Sequence, residues 1–489
     1  MRIPKLILGS VFVIGVMLPS YGTDILVGAT SVDITPRTPV ALMGQFRLRI
    51  AEEIHTPLSV NIIAIQSGNL DGESDTAIFV SCDLVYIPRQ VIALVRKGVQ
   101  KRFPGFNTHK IILSATHTHT SPVVEDSTDN ATFLYKLPTN ITQVSEYRTF
   151  LVAQIVSGIV EAWNTKSKGQ VTWGTRRAAI PYNRRVVYTD GEAKMYGKVD
   201  DPAFDNLEGY EDHDVHALFF WNAKDELIAT SIEVACPAQE VEGDSRVDAD
   251  YWHPVREKLK ETYGSQLVVA GWIGAAGDQS PHPIYRKPAL QRMVELSGVS
   301  RLDDIAERIV EAVTSIYQTV RKERYSDLVF EHKTAVLELP MRIITVSEYL
   351  ESKRISHEAF VAIREDPDTA ASLNTRMTWY GDIVKRFEAQ KMNPNPQYET
   401  EIHVLRLGDI AICTNQFELF TDYGIQIQAR SKALQTIVIQ LAGPGTYLPT
   451  AKAISGGGYS AVCQSNSVGA EGGKILVEET LALLNGMWR

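Results

Sequence analysis

The chain has 489 residues, of which 44% are hydrophobic and 22% are charged, so it can bury a sizeable core. Its net charge of -9 and its isoelectric point near 5.7 argue against binding to nucleic acid or to anionic membrane surfaces. No Gly/Ser/Pro-rich linker and no internal repeat is visible, so we expect one large domain over residues 23–489.

The first residues predict a secretory signal peptide, residues 1–22. Arg2 and Lys5 provide a positive start, residues 6–18 are nearly all apolar, and small residues follow. This stretch is too short for a stable membrane span, and no later apolar run is long enough to cross a bilayer. We therefore expect the mature chain to work outside the cytoplasm, either in the periplasm or secreted.

Strand and helix patterns then alternate along the chain. Residues 77–82 form a short apolar run that is typical of a strand covered on both faces, and Asp83 ends it. A helix is predicted over residues 87–99, a strand from residue 111, and another helix over residues 147–163. This order predicts an α/β fold in which mixed β-sheets are covered by helices.

The strand that begins at Ile111 runs into two histidines, His117 and His119. Side chains two apart share one face of a strand, so both imidazoles should continue the apolar face of Ile111. An apolar face that ends in polar groups indicates the floor of an active-site cleft. Two histidines are only half of a metal site, and an exposed turn would show the same pattern.

Later strand ends also carry polar side chains. Strand-like runs precede Arg184, Cys236, the pair Asp278 and Ser280, Glu418, and Tyr447. Between these segments the pattern predicts a core helix over residues 302–320, a polar helical insertion near the cleft over about 346–390, and a closing helix over residues 475–484.

In their identity and their order along the chain, these motifs resemble those of the neutral, non-lysosomal ceramidase family. Its members are secreted or membrane-attached zinc amidases that cleave the fatty-acyl amide of ceramide. The resemblance spans nearly the whole mature chain, through residues 27–36, 42–44, 79–83, 114–119, 183–184, 277–281, 417–418, and Tyr447 with Thr450.

The resemblance implies a zinc ion held by His117, Cys236, Glu418 and Tyr447. At Cys236 this chain departs from the family, which has a histidine before the proline. Thiolate is a good zinc ligand, although its negative charge makes the metal a weaker Lewis acid. The alternatives for Cys236 are an ordinary buried thiol or a disulfide with Cys463, in a Gly-rich loop that we expect to be exposed.

The resemblance also implies four catalytic positions, His119, Arg184, Asp278 and Ser280. His119 and Arg184 match residues that contact the scissile group, where they would donate hydrogen bonds to a developing oxyanion. Ser280 is either a nucleophile or a group that positions the substrate beside a metal-activated water, and we favour positioning. Asp278 is expected to orient other site residues.

Two features separate the chain from the ceramidases. We expect no C-terminal β-sandwich domain of the kind that the family carries, and the insertion at residues 346–390 is polar, unlike a lipid-docking surface. The predicted function is an exported zinc-dependent hydrolase that cleaves an amide bond of ceramide or another N-acyl compound, with a small-molecule or lipid-like substrate. The alternatives are a glycan-directed hydrolase on the same scaffold and a non-catalytic binding protein that retains the fold.

Overall fold

The structure is a computed structural model that describes residues 22–68, 74–125 and 137–488. The predicted signal peptide lies outside the described residues, apart from Gly22. Within these ranges, no helix combines the length and the apolar character that crossing a membrane requires.

Short strands and helices alternate throughout the described chain. The strands are β1 Thr23–Asp33, β2 Val40–Leu42, β3 Arg49–Ala51, β4 Ser59–Ser67, β5 Thr76–Cys82, β6 Ile111–Ala115, β7 Ser167–Lys168, β8 Gln170–Arg177, β9 Tyr182–Asn183, β10 Arg185–Tyr188, β11 Ala193–Met195, β12 Phe204–Leu207, β13 Asp214–Trp221, β14 Leu227–Val234, β15 Val268–Ile273, β16 Gln279–Ser280, β17 Asp327–Leu328, β18 Phe330–Pro340, β19 Gln397–Leu407, β20 Ile410–Thr414, β21 Glu418–Leu419, β22 Gln435–Ile439 and β23 Tyr447–Leu448. The helices are α1 Arg89–Arg102, α2 Val144–Asn164, α3 Trp252–Tyr263, α4 Lys287–Ser297, α5 Arg301–Val320, α6 Val346–Glu365, α7 Ala370–Met392, α8 Thr421–Arg430, α9 Ala451–Gly456 and α10 Ala470–Asn485.

Three sheets repeat one strand order. They run β1-β4-β5-β6, β8-β13-β14-β15 and β18-β19-β20-β22, and β7 and β17 extend the first. In each sheet the first three strands are antiparallel and the last two are parallel. A parallel pair needs a crossover connection, which α1, α3 and α8 provide in turn. The fold therefore contains a threefold structural repeat that the sequence does not reveal.

The three sheets share one apolar core. Their inner faces meet around residues such as Phe79, Trp272 and Leu405, all buried. The outer faces pack in turn against α1 and α2, α3 and α5, and α8 and α10. This arrangement confirms the predicted α/β fold of mixed sheets covered by helices.

The parallel pairs place the predicted site segments together. Site residues that the sequence singled out follow β6, β14, β15, β20 and β22. In α/β folds, ligands bind past the carboxyl ends of such strands. The insertion forms two helices, α6 and α7, that pack on each other. The Thr375 hydroxyl on α7 donates to the Phe46 carbonyl at 2.7 Å, so the insertion is hydrogen-bonded to the loop between β2 and β3.

Candidate active site

The segment that carries both histidines leaves the strand before it reaches them. β6 ends at Ala115, and His117 has a φ of 67°, so the predicted extended backbone is wrong here. The His117 amide donates to the Leu84 carbonyl at 2.9 Å, which supports this turn. The two side chains still converge, because His117 Nε2 lies 3.3 Å from His119 Nε2.

Asp83 supports this turn through buried hydrogen bonds. Arg256 donates two hydrogen bonds to its carboxylate, at 2.7 and 2.8 Å, and the pair is almost completely buried. The Thr116 hydroxyl also donates to it at 3.1 Å. Asp83 thereby joins the ends of β5 and β6 to α3, as expected of a residue that orients its neighbours.

Hydrogen-bond partners assign the protons on the two imidazoles. His117 Nδ1 donates to the Val85 carbonyl at 2.6 Å, so Nε2 is the nitrogen that faces His119 and Glu418. The Gln239 carbonyl oxygen accepts from Arg184 at 3.1 Å, and its amide nitrogen therefore donates to His119 Nε2 at 2.7 Å. His119 Nε2 thus accepts a hydrogen bond from Gln239, and its expected role beside an oxyanion stays a prediction.

The other nitrogen of His119 faces a carboxylate. His119 Nδ1 lies 3.3 Å from Glu242 Oε2, and both side chains are largely buried. Burial lowers the pKa of His119 to about 4, against the raising effect of Glu242, so the ring is neutral. Nδ1 makes no hydrogen bond within the described residues, so the Gln239 amide is the group that identifies Nε2 as the acceptor.

Glu418 brings a third acceptor to the same point. Its Oε2 lies 3.5 Å from His117 Nε2 and 4.0 Å from Arg184 Nη2. Burial raises the pKa of Glu418, but the hydrogen bond and charge of His117 and the charge of Arg184 outweigh it, and the net pKa is lowered. Glu418 Oε2 and His117 Nε2 approach closely enough to share a proton or to bind a cation.

Arg184 and Tyr447 lie next to Glu418 in the site. Parallel pairing of β21 and β23 sets Glu418 beside Tyr447, and Arg184 Nη2 donates to the Tyr447 hydroxyl at 3.3 Å. Burial, followed by the charge of Glu418, raises the pKa of Tyr447 well above its ordinary value, so the phenol stays neutral. Arg184 is 2% exposed, and its neighbours raise its pKa despite burial, which makes it a permanent cation.

Ser280 lies behind the site. Its side chain is fully buried, and its Oγ accepts hydrogen bonds from the Tyr196 hydroxyl at 2.9 Å and the His282 amide at 3.1 Å. Among the described residues, neither an imidazole nor a carboxylate hydrogen-bonds this hydroxyl. A serine nucleophile needs such a base, which the described residues do not place beside Ser280, and the positioning role stays a prediction.

Asp278 is a structural brace. Its carboxylate accepts from Asn183 at 3.0 Å and from the Thr421 amide and hydroxyl at 2.8 and 2.7 Å. Its carbonyl accepts from the Arg184 amide at 2.9 Å. Asp278 therefore anchors the backbone of Arg184 to the start of α8, and its role in catalysis stays a prediction.

Within the described residues, Cys236 makes no hydrogen bond to His117, His119 or Glu418, and its role as a ligand stays a prediction. It is fully buried in the apolar cluster that contains Tyr251 and Trp252, and its Sγ lies 3.7 Å from the Pro237 carbonyl oxygen. Burial raises the pKa of its thiol well above the ordinary value. All four cysteines are free and buried, so neither the disulfide alternative nor the expected exposure of Cys463 is found.

The donor atoms fit a zinc ion in part. Nitrogen and oxygen ligands about 2.0–2.2 Å from a tetrahedral ion lie roughly 3.3–3.6 Å from each other, as the 3.3 and 3.5 Å separations around His117 Nε2 do. As the side chains stand, however, no three His, Cys, Asp or Glu groups in the described ranges form a complete metal site. Two pair distances alone do not place an ion, and zinc binding stays a prediction.

A cavity of about 640 Å³ opens onto this point. Its floor consists of His117, His119, Glu418 and Tyr447. At its mouth stand three aromatic rings, Phe46, Trp379 and Tyr459, with ring centroids 5.4 or 5.8 Å apart. Trp379 belongs to α7, so the predicted insertion does form a wall of the cleft.

Three residues of the site escaped sequence reasoning: Gln239, Glu242 and Tyr196. Gln239 follows Cys236 by three positions, and a polar side chain so close to a strand end was a usable signal. Glu242 and Tyr196 lie in loops without periodicity, and no pattern there distinguishes them from surface residues.

Gly44 is expected to be essential for the position of His119. It has a φ of 102°, and a Cβ there would lie 2.5 Å from the His119 ring. Gly44→Ala should cost about 1 kcal/mol of stability through φ alone, and should lower kcat/KM at least about tenfold by displacing the ring. Gly105→Ala is the control, because its φ is 93° with nothing within 4 Å. Equal activity in the two variants, with equal loss of stability, would contradict this role.

Arg184→Lys is expected to lower kcat/KM by about 10–100-fold, although it keeps the charge. Arg184 donates to Tyr196, Gln239, Tyr447 and the Gly277 carbonyl, a spread that one ammonium group cannot reproduce. Steady-state kinetics on wild type and variant measure the loss. Arg177→Lys, at a side chain that is 73% exposed, serves as the control and should leave kcat/KM unchanged. A fully active Arg184→Lys variant would show that the several hydrogen bonds of the Arg184 guanidinium are unimportant for activity.

Comparison of the sequence with protein-family models and with curated proteins gives no match. Among solved structures, the chain is similar to neutral ceramidase from Pseudomonas aeruginosa, with a TM-score of 0.68 and 15% identity over 95% of this chain and 74% of that one. It is likewise similar to a ceramidase complexed with C2, with a TM-score of 0.67 and 14% identity over 95% of this chain and 75% of that one. At such low identity the likeness establishes the fold, and the chain has the fold of the neutral ceramidases.

Proposed function

We propose that the chain is an exported, zinc-dependent hydrolase that cleaves the amide bond of ceramide or of another N-acyl substrate. The observation that carries this proposal is the convergence of His117 Nε2, Glu418 Oε2 and Tyr447 on the floor of one cavity. The two structural neighbours are ceramidases, which supports an amide as the bond that is cleaved.

A zinc ion held by these residues would supply Lewis acidity and activate water for attack on the carbonyl carbon. The chain's own groups then stabilise the charge that develops on the carbonyl oxygen. Tyr447 lines the cavity beside Glu418, so its hydroxyl is placed near that oxygen. Arg184 donates to the same hydroxyl from behind, and its fixed charge would lower the energy of the oxyanion.

The cavity lining favours a second candidate, a glycan-directed hydrolase. The aliphatic lining residues are Met43, Val85 and Pro444, and no Leu or Ile lines the described part of the cavity. The remaining wall combines aromatic rings with carboxamides and charged groups, among them Gln45, Gln90, Gln464 and Asp382. Amide and carboxylate groups hydrogen-bond hydroxyls, and ring faces cover the apolar face of a sugar, so this lining suits an N-acylated sugar.

Release of free amine from a substrate panel tests the proposal. The panel contains a short-acyl ceramide, an N-acyl amino acid and the methyl glycoside of an N-acetylhexosamine, each incubated with zinc-supplemented protein. We expect turnover of at least one, abolished in His117→Ala and retained in His109→Ala, whose side chain is 58% exposed. Turnover of the sugar alone would select the second candidate. No amine release from any substrate would overturn both hydrolase proposals and leave a binding protein.

A further inference from the structure

Three aromatic rings at the mouth of the cavity form an exposed cluster. Phe46 and Tyr459 are 46% and 36% exposed, and both rings contact Trp379. Single exposed aromatic residues are common, but a cluster of them beside a cavity indicates a binding surface. We propose that these three rings are a platform for the pyranose ring of an N-acylated amino sugar, with Trp379 as the residue that determines specificity. This inference rests on the amide hydrolysis in the proposed function and selects among its candidate substrates.

Hydrogen bonds from α7 hold the platform together. The Thr375 hydroxyl donates to the Phe46 carbonyl at 2.7 Å, and the Arg386 guanidinium donates at 2.8 Å to the Cys463 carbonyl, in the loop that follows Tyr459. The spacing of the two donors places them on the face of α7 that carries the tryptophan. The platform is therefore formed before a ligand arrives, which lowers the entropic cost of binding.

Tyr459 connects the platform to the floor of the cavity. Its ring centroid lies 5.8 Å from that of Trp379 and 5.7 Å from that of Tyr447. A sugar ring stacked on the platform would thus lie next to the floor. In an N-acylated amino sugar the amide nitrogen is bonded directly to a ring carbon, so the acyl carbonyl would lie beside Glu418 and Tyr447.

Polar groups beside the rings suit the hydroxyls of a sugar. Asp382 follows Trp379 by three residues on α7, and both line the cavity. Gln45 and Gln464 line the same cavity. Carboxylates and carboxamides form hydrogen bonds with hydroxyls, while the apolar face of a pyranose packs on an aromatic ring. A long alkyl chain in this place would dehydrate the polar groups without offering them partners.

Kinetics of Trp379→Ala on the methyl glycoside of an N-acetylhexosamine test the platform. Stacking stabilises the bound substrate and the transition state alike, so KM should rise about 5–10-fold while kcat changes less than about twofold. Trp379→Phe keeps a ring face and should recover part of the loss. Phe360→Ala is the control, because this 49% exposed aromatic residue of α6 does not line the cavity in the described part of the chain.

Binding without turnover is measured on the His117→Ala protein, by isothermal titration calorimetry with the same glycoside. The Kd should rise about 5–10-fold when Trp379→Ala is added. It should stay unchanged when Phe360→Ala is added instead. Circular dichroism shows whether each variant is folded.

The outcomes separate the platform from the function on which it rests. Equal glycoside affinity with and without the Trp379 ring would overturn the platform and leave the hydrolase. A protein that hydrolyses the short-acyl ceramide but does not bind the glycoside would overturn it in the same way. Glycoside binding that depends on Trp379, without amine release from any substrate, would overturn the hydrolase and leave a sugar-binding site.

Discussion

Glu418→Gln is expected to abolish amide hydrolysis, with kcat/KM reduced at least about a thousandfold. Glu418 supplies a negative charge on the cavity floor, 3.5 Å from His117 Nε2. Glutamine keeps the shape but removes the charge that attracts a metal ion, and its amide can place an N–H where an acceptor is needed. Initial rates of amine release on the best substrate measure the effect.

The matched control is Asp422→Asn, four residues further along the chain. Asp422 is an exposed acid in the first turn of α8 and does not line the cavity in the described residues. It should retain wild-type kcat/KM. A Glu418→Gln variant that remains folded and keeps more than a tenth of the activity would show that the carboxylate is not part of the reacting centre.

Arg185→Met is expected to have the largest effect on stability, lowering the free energy of unfolding by about 3–5 kcal/mol. Arg185 is fully buried and donates two hydrogen bonds to Glu208, at 2.6 and 3.0 Å. It also donates to Ser460 and to two carbonyls near it, which holds the loop that carries Tyr459. Methionine leaves the Glu208 carboxylate buried without a partner. Urea denaturation gives the change.

An exposed ion pair provides the comparison. Arg430 and Glu478 are 2.6 Å apart, with side chains 47% and 59% exposed, so Arg430→Met should cost at most about 1 kcal/mol. The double change Arg185→Met with Glu208→Gln should recover part of the loss, because the unpaired charge is gone. If Arg185→Met costs no more than Arg430→Met, the buried pair is not a stabilising element of this loop.

The fold class and the main site segments could be predicted because they leave local signals. Apolar runs that end in His117 or Asp278 indicate strands that lead into a cleft, and the helices α5 and α10 follow the three-and-four spacing of their apolar residues. The same reasoning misjudged the backbone at His117. A left-handed residue there depends on contacts with Leu84 and Val85, which no local pattern shows.

The remaining features depend on pairs that are distant in sequence. His119 and Gln239 are separated by 120 positions, and only the packing of two sheets brings them together. The threefold repeat of strand order is also hidden, because topology is set by pairing and burial rather than by residue identity. For the same reason, the position of Cys236 in the core could not be distinguished from a ligand position by the dipeptide Cys-Pro alone.

The most direct test of the proposed function is amine release by the purified protein before and after treatment with a chelator. We predict that chelation abolishes turnover of the best N-acyl substrate and that stoichiometric zinc restores it in the wild type. His117→Ala should not recover, because the nitrogen that Val85 orients toward Glu418 is missing. Turnover that survives complete removal of metal would contradict the proposal that this cluster works through a bound zinc ion.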